Sequence, residues 1–190
     1  LVEAPFHAYP IVSSNVFTFG GLKVDGQARV SAPAAFRRVL EAGDPAQSAG
    51  SRARLVLVHG DPGRRFCECY TIEGMRRLER RILRMPKGDR RRLFLARNMI
   101  TLSQEIEIDE DGRIVLPPKA REKIGLAGAA LREGAEAVFA GMLDSFQIWS
   151  RADYEAELAR TAELAGEILP AGEDMLALLP DDEDGADAED

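Results

Sequence analysis

Only two cysteines, two histidines and one tryptophan occur among the 190 residues. Cys67 and Cys69 stand one residue apart, too close to bridge comfortably within a strand, and His7 and His59 lie far from each other. Neither a disulfide scaffold nor a Cys/His zinc module is expected. No stretch approaches the roughly 18 apolar residues of a membrane span, and residues 1–20 lack a basic start followed by an apolar block. A cytoplasmic protein without a membrane segment is the default expectation. A Gly-rich phosphate loop followed by Lys-Ser/Thr, H-E-x-x-H and G-x-S-x-G are all missing. No enzyme, cofactor or metal is therefore expected.

The composition that remains, 45% apolar and 30% charged, fits one ordinary domain or two small ones. The net charge of −7 is unevenly placed. Residues 171–190 hold nine acids and no base, leaving 25 bases against 23 acids in the rest of the chain. Within that body, residues 76–97 concentrate ten bases and only two acids, Glu79 and Asp89. Such a run can attract a polyanion although the whole chain is acidic.

Self-similarity decides the architecture. Lys23–Leu40, KVDGQARVSAPAAFRRVL, aligns without a gap on Glu107–Ile124, EIDEDGRIVLPPKAREKI. The two share Asp25/Asp109, Arg29/Arg113, Pro33/Pro117 and Arg37/Arg121. Further on, Cys67, Cys69, Tyr70 and Met75 match Phe146, Ile148, Trp149 and Tyr154. Each copy reads as β-β-α-β-β-α. Alternation over Glu105–Ile108, a tight turn at Asp109–Gly112 and an apolar strand from Arg113 predict a hairpin. Pro117 and Pro118 open a short helix ended by Gly125. A second hairpin follows, and Ser150 with Asp153 caps a longer helix over about residues 151–168. One such unit is too small to bury a core alone, so two copies should complete one mostly β, α+β core with helices outside it. The expected organisation is an extension at 1–16, a first repeat at 17–82, a basic helical connector at 83–104 broken by Pro86 and Gly88, a second repeat at 105–170, and an acidic disordered tail at 171–190. Residues 43–52 form an insertion that the second copy lacks.

The repeated Asp25-x-x-x-Arg29 and Asp109-x-x-x-Arg113 are the candidate functional residues. An aspartate can accept from turn amides while the arginine at the start of the returning strand projects beside the turn. Two copies would set two arginines on one face, suited to phosphate oxygens or to the O6/N7 edge of guanine. The plain alternative is that each arginine only pairs with its own aspartate and stiffens the turn. Lys23 is a weaker candidate beside the first turn. Arg90, Arg91 and Arg92 are candidate phosphate contacts, against the reading of the whole run as a solvated helix face. Cys67 and Cys69 should point inward, Tyr70 and Trp149 should be core or interface aromatics, and Glu68 and Gln147 should face outward as surface contacts. Asp25 and Asp109, each next to an arginine, suit ionised carboxylates and not a general acid.

The two D-x-x-x-R turns, the prolines after them, and IDEDGRIVLPPKAREKIGL followed by FQIW resemble the MraZ family, whose halves are each similar to the SpoVT-AbrB swapped-hairpin domain. The resemblance runs from about Phe17 to Leu169. It implies a swapped-hairpin barrel and a bacterial regulator that binds double-stranded DNA at repeated promoter sites, those of its own operon in the division and cell-wall gene cluster. It also implies a ring-shaped homo-oligomer, associated with the nucleoid, that presents Asp25, Arg29, Asp109 and Arg113 to DNA. The sequence departs from the family in having Gln27-Ala28-Arg29 and Asp111-Gly112-Arg113 where Lys-Gly-Arg is usual, so a base is missing before each arginine. The competing expectation is an antitoxin-like or other protein-interaction module that uses the acidic tail.

Overall fold

The computed structural model describes residues 18–48, 50–169 and 172–179. The expected extension at 1–16 and residues 180–190 of the tail lie outside the described residues. The chain divides into two compact units, 1–154 and 155–190.

The first repeat forms β1 (Phe19–Lys23), β2 (Arg29–Ser31), α1 (Ala34–Ala42), β3 (Arg54–Val58), β4 (Phe66–Tyr70) and α2 (Ile72–Leu83). The connector forms α3 (Arg90–Leu95) and one π-helical segment, Ala96–Thr101. The second repeat forms β5 (Ser103–Glu107), β6 (Arg113–Val115), α4 (Pro118–Lys123), a short α5 (Ala129–Glu133), β7 (Glu136–Gly141), β8 (Phe146–Ser150) and α6 (Arg151–Ile168). Local chemistry sets these limits. Thr71 Oγ1 accepts from Gly74 N at 3.0 Å to start α2, and Asp89 accepts from Arg91 N at 2.8 Å to start α3. The expected cap of α6 is present, with Asp153 N donating to Ser150 Oγ at 3.2 Å. Pro86 and Gly88 separate α2 from α3, as the sequence suggests. The π-helical segment and α5 were not anticipated. The former holds Asn98, whose amide donates to Phe94 O at 2.9 Å and accepts from Asp61 N at 3.0 Å, so a buried side chain pins the β3–β4 loop. In the second unit the described residues form the rest of α6 and a 3₁₀ turn at Met175–Leu178. Among the described residues, no helix is long and apolar enough to cross a membrane.

Strand pairing differs from the expected hairpins. Six strands form one antiparallel sheet in the order β1-β7-β8-β4-β3-β5, and β2 pairs only with β6 in a separate two-stranded ribbon. Thus β1 does not pair with β2, nor β5 with β6. Each turn does close, with Asp25 N donating to Arg29 O at 3.0 Å and Asp109 N to Arg113 O at 2.8 Å. The flanking donors, however, go to the other repeat: Val24 N to Ala135 O and Ile108 N to Ala53 O, both at 2.9 Å. The expected barrel also does not close. β1 and β5 are the two ends of the sheet, and the ribbon that would bridge them pairs with neither. It joins the fold by packing instead, through Val30 and Ile114, which are fully buried in the same apolar cluster as the inward residues of the sheet. The result is a mixed α/β fold with a mostly antiparallel sheet. Its pseudo-twofold passes between β4 and β8, where Cys67 opposes Ile148 and Cys69 opposes Phe146.

One core serves both repeats. Phe36 of α1 meets Phe139 and Phe146 of the second repeat edge-on, at ring separations of 5.7 and 4.8 Å. Its equivalent in the second repeat is Ala120, whose carbonyl faces Cys67 Sγ at 3.8 Å. Burial pushes the Cys67 thiol up to about 12, so both inward cysteines are packing residues as expected. The outer face of the sheet is covered in two patches. Val56, Val58, Ile72 and Met75 pack with Met99 and Ile100, and Val138, Ala140 and Trp149 pack with Phe66 and Tyr154. Phe36→Ala should cost about 3–5 kcal/mol in urea unfolding, because it empties the contact that joins the repeats. The exposed Val115→Ala should stay within about 0.5 kcal/mol of the parent. A loss below 1 kcal/mol for Phe36→Ala would show that the repeats cohere without this ring.

Candidate nucleic-acid interface

The β2–β6 ribbon brings the two candidate arginines together. Arg29 opposes Val115 and Arg113 opposes Ser31. Directly opposed residues share a face, as do alternate residues of one strand, so Arg29, Ser31, Arg113 and Val115 stand on one side and Val30 and Ile114 on the other. Burial agrees: Val30 and Ile114 are at 0% exposure, while Ser31 and Val115 are exposed and both arginines are half-buried. With a rise of ~3.4 Å per residue and about 5 Å between strands, the Cα atoms of Arg29 and Arg113 lie about 8 Å apart.

Each turn is built on its aspartate. Asp25 Oδ1 accepts from Gln27 N and Arg29 N, both at 2.9 Å, and Asp109 Oδ1 accepts from Arg113 N at 2.7 Å. The residue before each arginine is left-handed: Gly112 at φ 75° and, less usually, Ala28 at φ 63°. The reciprocal bonds Ala32 N to Gly112 O and Leu116 N to Ala28 O, both 2.9 Å, lock the turns to opposite repeats. The two guanidiniums are held differently. Arg29 Nε donates to Asp25 Oδ2 at 2.7 Å, whereas Arg113 Nη2 pairs with Asp111, which is two-thirds exposed. The backbone amide of Arg29 and then its guanidinium hold the Asp25 carboxyl below its ordinary 3.8. Both pairs are partly exposed to solvent, where such pairs are weak.

The other candidates lie elsewhere. Lys23 closes β1 opposite Glu136, in the six-stranded sheet and not in the ribbon. On α3, Arg91 folds back onto Asp89 at 2.8 Å and Arg92 Nη1 donates to Met85 O at 2.7 Å, so two of the three arginines there serve their own segment. Glu68 and Gln147 are not free surface contacts. Glu68 accepts from Ser145 Oγ at 2.6 Å and from Arg64 Nη1 at 2.8 Å, and Gln147 accepts from Trp149 Nε1 at 3.0 Å. One residue beside the site carried no assigned role in the sequence. Arg37 follows Pro33 by four positions, and its guanidinium lies against Gly112 of the opposite turn. Its identity with Arg121 in the aligned repeats was the available signal.

Because the Asp25 carboxyl is held below 3.8, its contribution to stability is complete above that pH and disappears as the pH falls through its lower folded value. Asp25→Asn should therefore be less stable than the parent in urea at pH 7, and the gap should shrink below about pH 4. A gap that does not shrink as the pH is lowered would mean that the carboxylate charge does not organise the turn.

The family model described as "MraZ protein, putative antitoxin-like" matches residues 99–167. A protein of Cereibacter sphaeroides named Transcriptional regulator MraZ is 57% identical over 157 residues, covering 83% of this chain and 90% of its own length. The protein of that name from Ruegeria pomeroyi is 44% identical over 162 residues, covering 85% of this chain and 87% of its own. At greater distance, the Coxiella burnetii protein of that name is 28% identical over 154 residues, covering 81% of this chain and 90% of its own. With identity at this level along most of both sequences, the chain belongs to the MraZ family of transcriptional regulators.

Proposed function

We propose that this protein is a DNA-binding transcriptional regulator that reads double-stranded promoter DNA through the Asp25–Arg29 and Asp109–Arg113 turns. The observation that carries this reading is the ribbon, which sets Arg29 and Arg113 on one solvent face over a fully buried Val30 and Ile114. A rigid support of this kind fixes two guanidiniums at a set spacing before DNA arrives. The relatives named as transcriptional regulators support the same class. The finer reading is that the targets are repeated sites before the protein's own operon in the division and cell-wall gene cluster, occupied by a cytoplasmic, nucleoid-associated ring of identical subunits. The exchange of strands between repeats at 17–82 and 105–170 supports a swapped-hairpin ancestry for each half. The basic connector at 83–104 supplies a surface for a neighbouring subunit. There, Leu83, Leu93 and Phe94 are exposed, and Phe94 lines a hollow with Arg90, Arg91 and Leu95. Several weak turns on one assembly would gain ~100-fold or more in avidity where the DNA repeats match their spacing.

Arg29→Ala and Arg113→Ala should each lower promoter affinity in fluorescence anisotropy by about 10-fold or more, with the assembly unchanged by light scattering. The slope of log affinity against log salt should flatten by ~0.9 for each phosphate that is no longer neutralised. Unchanged affinity in both variants would make the arginines structural and point to a protein partner. Phe94→Glu should shift the assembly toward smaller species at constant helix content, and an unaltered mass would remove α3 from the subunit contact.

A further inference from the structure

We propose that Asp111 sets the base preference of the second turn: it occupies the guanidinium of Arg113 in the free protein and, once a guanine draws that arginine away, accepts from the amino group of a cytosine. This rests on the reading of the turns as the DNA-facing surface, and it makes the two turns of one ribbon unequal readers.

A guanidinium grips a pair of acceptors by one of two forks, Nη1 with Nη2 at its end or Nε with Nη2 along its side. The side fork is formed at Arg54, whose Nε and Nη2 donate to the two carboxylate oxygens of Asp44 at 2.7 and 2.8 Å. Nη2 belongs to both forks. In the first turn Asp25 takes only Nε of Arg29, at 2.7 Å, and among the described residues no group accepts from its Nη1 or Nη2. The end fork of Arg29 therefore stands ready for the O6 and N7 of a guanine. In the second turn Asp111 takes Nη2 of Arg113, the donor that both forks share, at 2.5 Å. Arg113 can grip no base edge by a fork until it leaves this carboxylate.

The local sequence explains the difference. Asp111 aligns with Gln27 and Glu110 with Gly26, so the tip of the second turn carries two acids and that of the first none. Arg52, from the insertion that the second repeat lacks, takes Glu110 at 2.9 Å. Asp109 Oδ1 accepts from the backbone amide of Arg113, and the guanidinium goes to Asp111. The Asp111 side chain is 66% exposed, so it faces whatever approaches the turn. A pair of this exposure is worth up to about 5-fold in affinity. Over random sequence, moving Arg113 to a phosphate forfeits the pair and gives the carboxylate nothing in return. At a G·C pair the guanine accepts from the freed fork and the cytosine amino group donates to the carboxylate, so both partners are repaid. Discrimination then comes from a charge left unpaired on the wrong surface as well as from the contact made on the right one.

The test is Asp111→Ala in the full chain, made in the parent and in Arg113→Ala; Gln27 at the equivalent position shows that the turn forms without an acid there. Anisotropy is measured with promoter DNA and with a random-sequence duplex across a salt series. In the parent, Asp111→Ala should raise affinity for the random duplex about 2- to 5-fold and leave promoter affinity level, so the preference falls by the same factor. The salt slope on the random duplex should steepen by ~0.9, as the released Arg113 neutralises a phosphate. In Arg113→Ala the gain should disappear, because Asp111 acts through that arginine. An equal gain on both duplexes, no gain on the random one, or a gain undiminished in Arg113→Ala would overturn the proposal. With promoter binding still lost in Arg29→Ala and Arg113→Ala, each of these outcomes leaves the turn reading intact. If neither arginine variant loses promoter binding, the turn reading falls and takes this inference with it.

Discussion

The ribbon and both ends of the sheet depend on backbone hydrogen bonds that each repeat makes with the other. Among the described residues β2 pairs only with β6, β1 only with β7, and β5 only with β3. An isolated copy would leave the donors of its first two strands unsatisfied, a cost that desolvation makes prohibitive in a core. The exchange also explains why the site is where it is. Crossing over brings the returning strands side by side, and the three-residue ribbon they form is held down by Val30 and Ile114. The arginines stand beside each other because the apolar residues between them must be buried.

Much of this was legible in the sequence. The repeat gave the element order, and the positions of β1 and β2 recur at the same offset in β5 and β6. Proline, glycine and the Ser150/Asp153 cap marked helix limits because those signals act within four residues. The aspartate-built turn was readable for the same reason. Pairing partners were not, since a turn that closes locally, as Asp25 N to Arg29 O does, looks the same whether its strands continue together or part. The choice is made by Ala135 and Ala53, far along the chain. The π-helical segment was invisible too, because it exists to deliver Asn98 to Asp61 N, a need set by tertiary structure.

The site was legible in identity but not in detail. The repeat pointed to Arg29 and Arg113, yet it implied two equal turns, and they differ. Asp25 both builds its turn and binds its arginine, while Asp109 builds its turn and leaves the arginine to Asp111. Gln27 stands where Asp111 would, so the first turn has no second acid. Similarly, Phe36 and Ala120 fill equivalent core positions with very different volumes. The pseudo-twofold is a property of the backbone, and the side chains have diverged around it.

The crossing of strands has a consequence for synthesis. Phe19 of β1 meets Phe139 of β7, 120 residues later in the chain. At translation rates of about 5–20 residues per second, β1 must wait some 6–24 s after leaving the ribosome before its partner exists. During that interval the inward apolar residues of β3 and β4 have no second repeat to pack against. The molecule is thus least protected while half made, and the order of its genetic information, more than its final stability, fixes how long that exposure lasts.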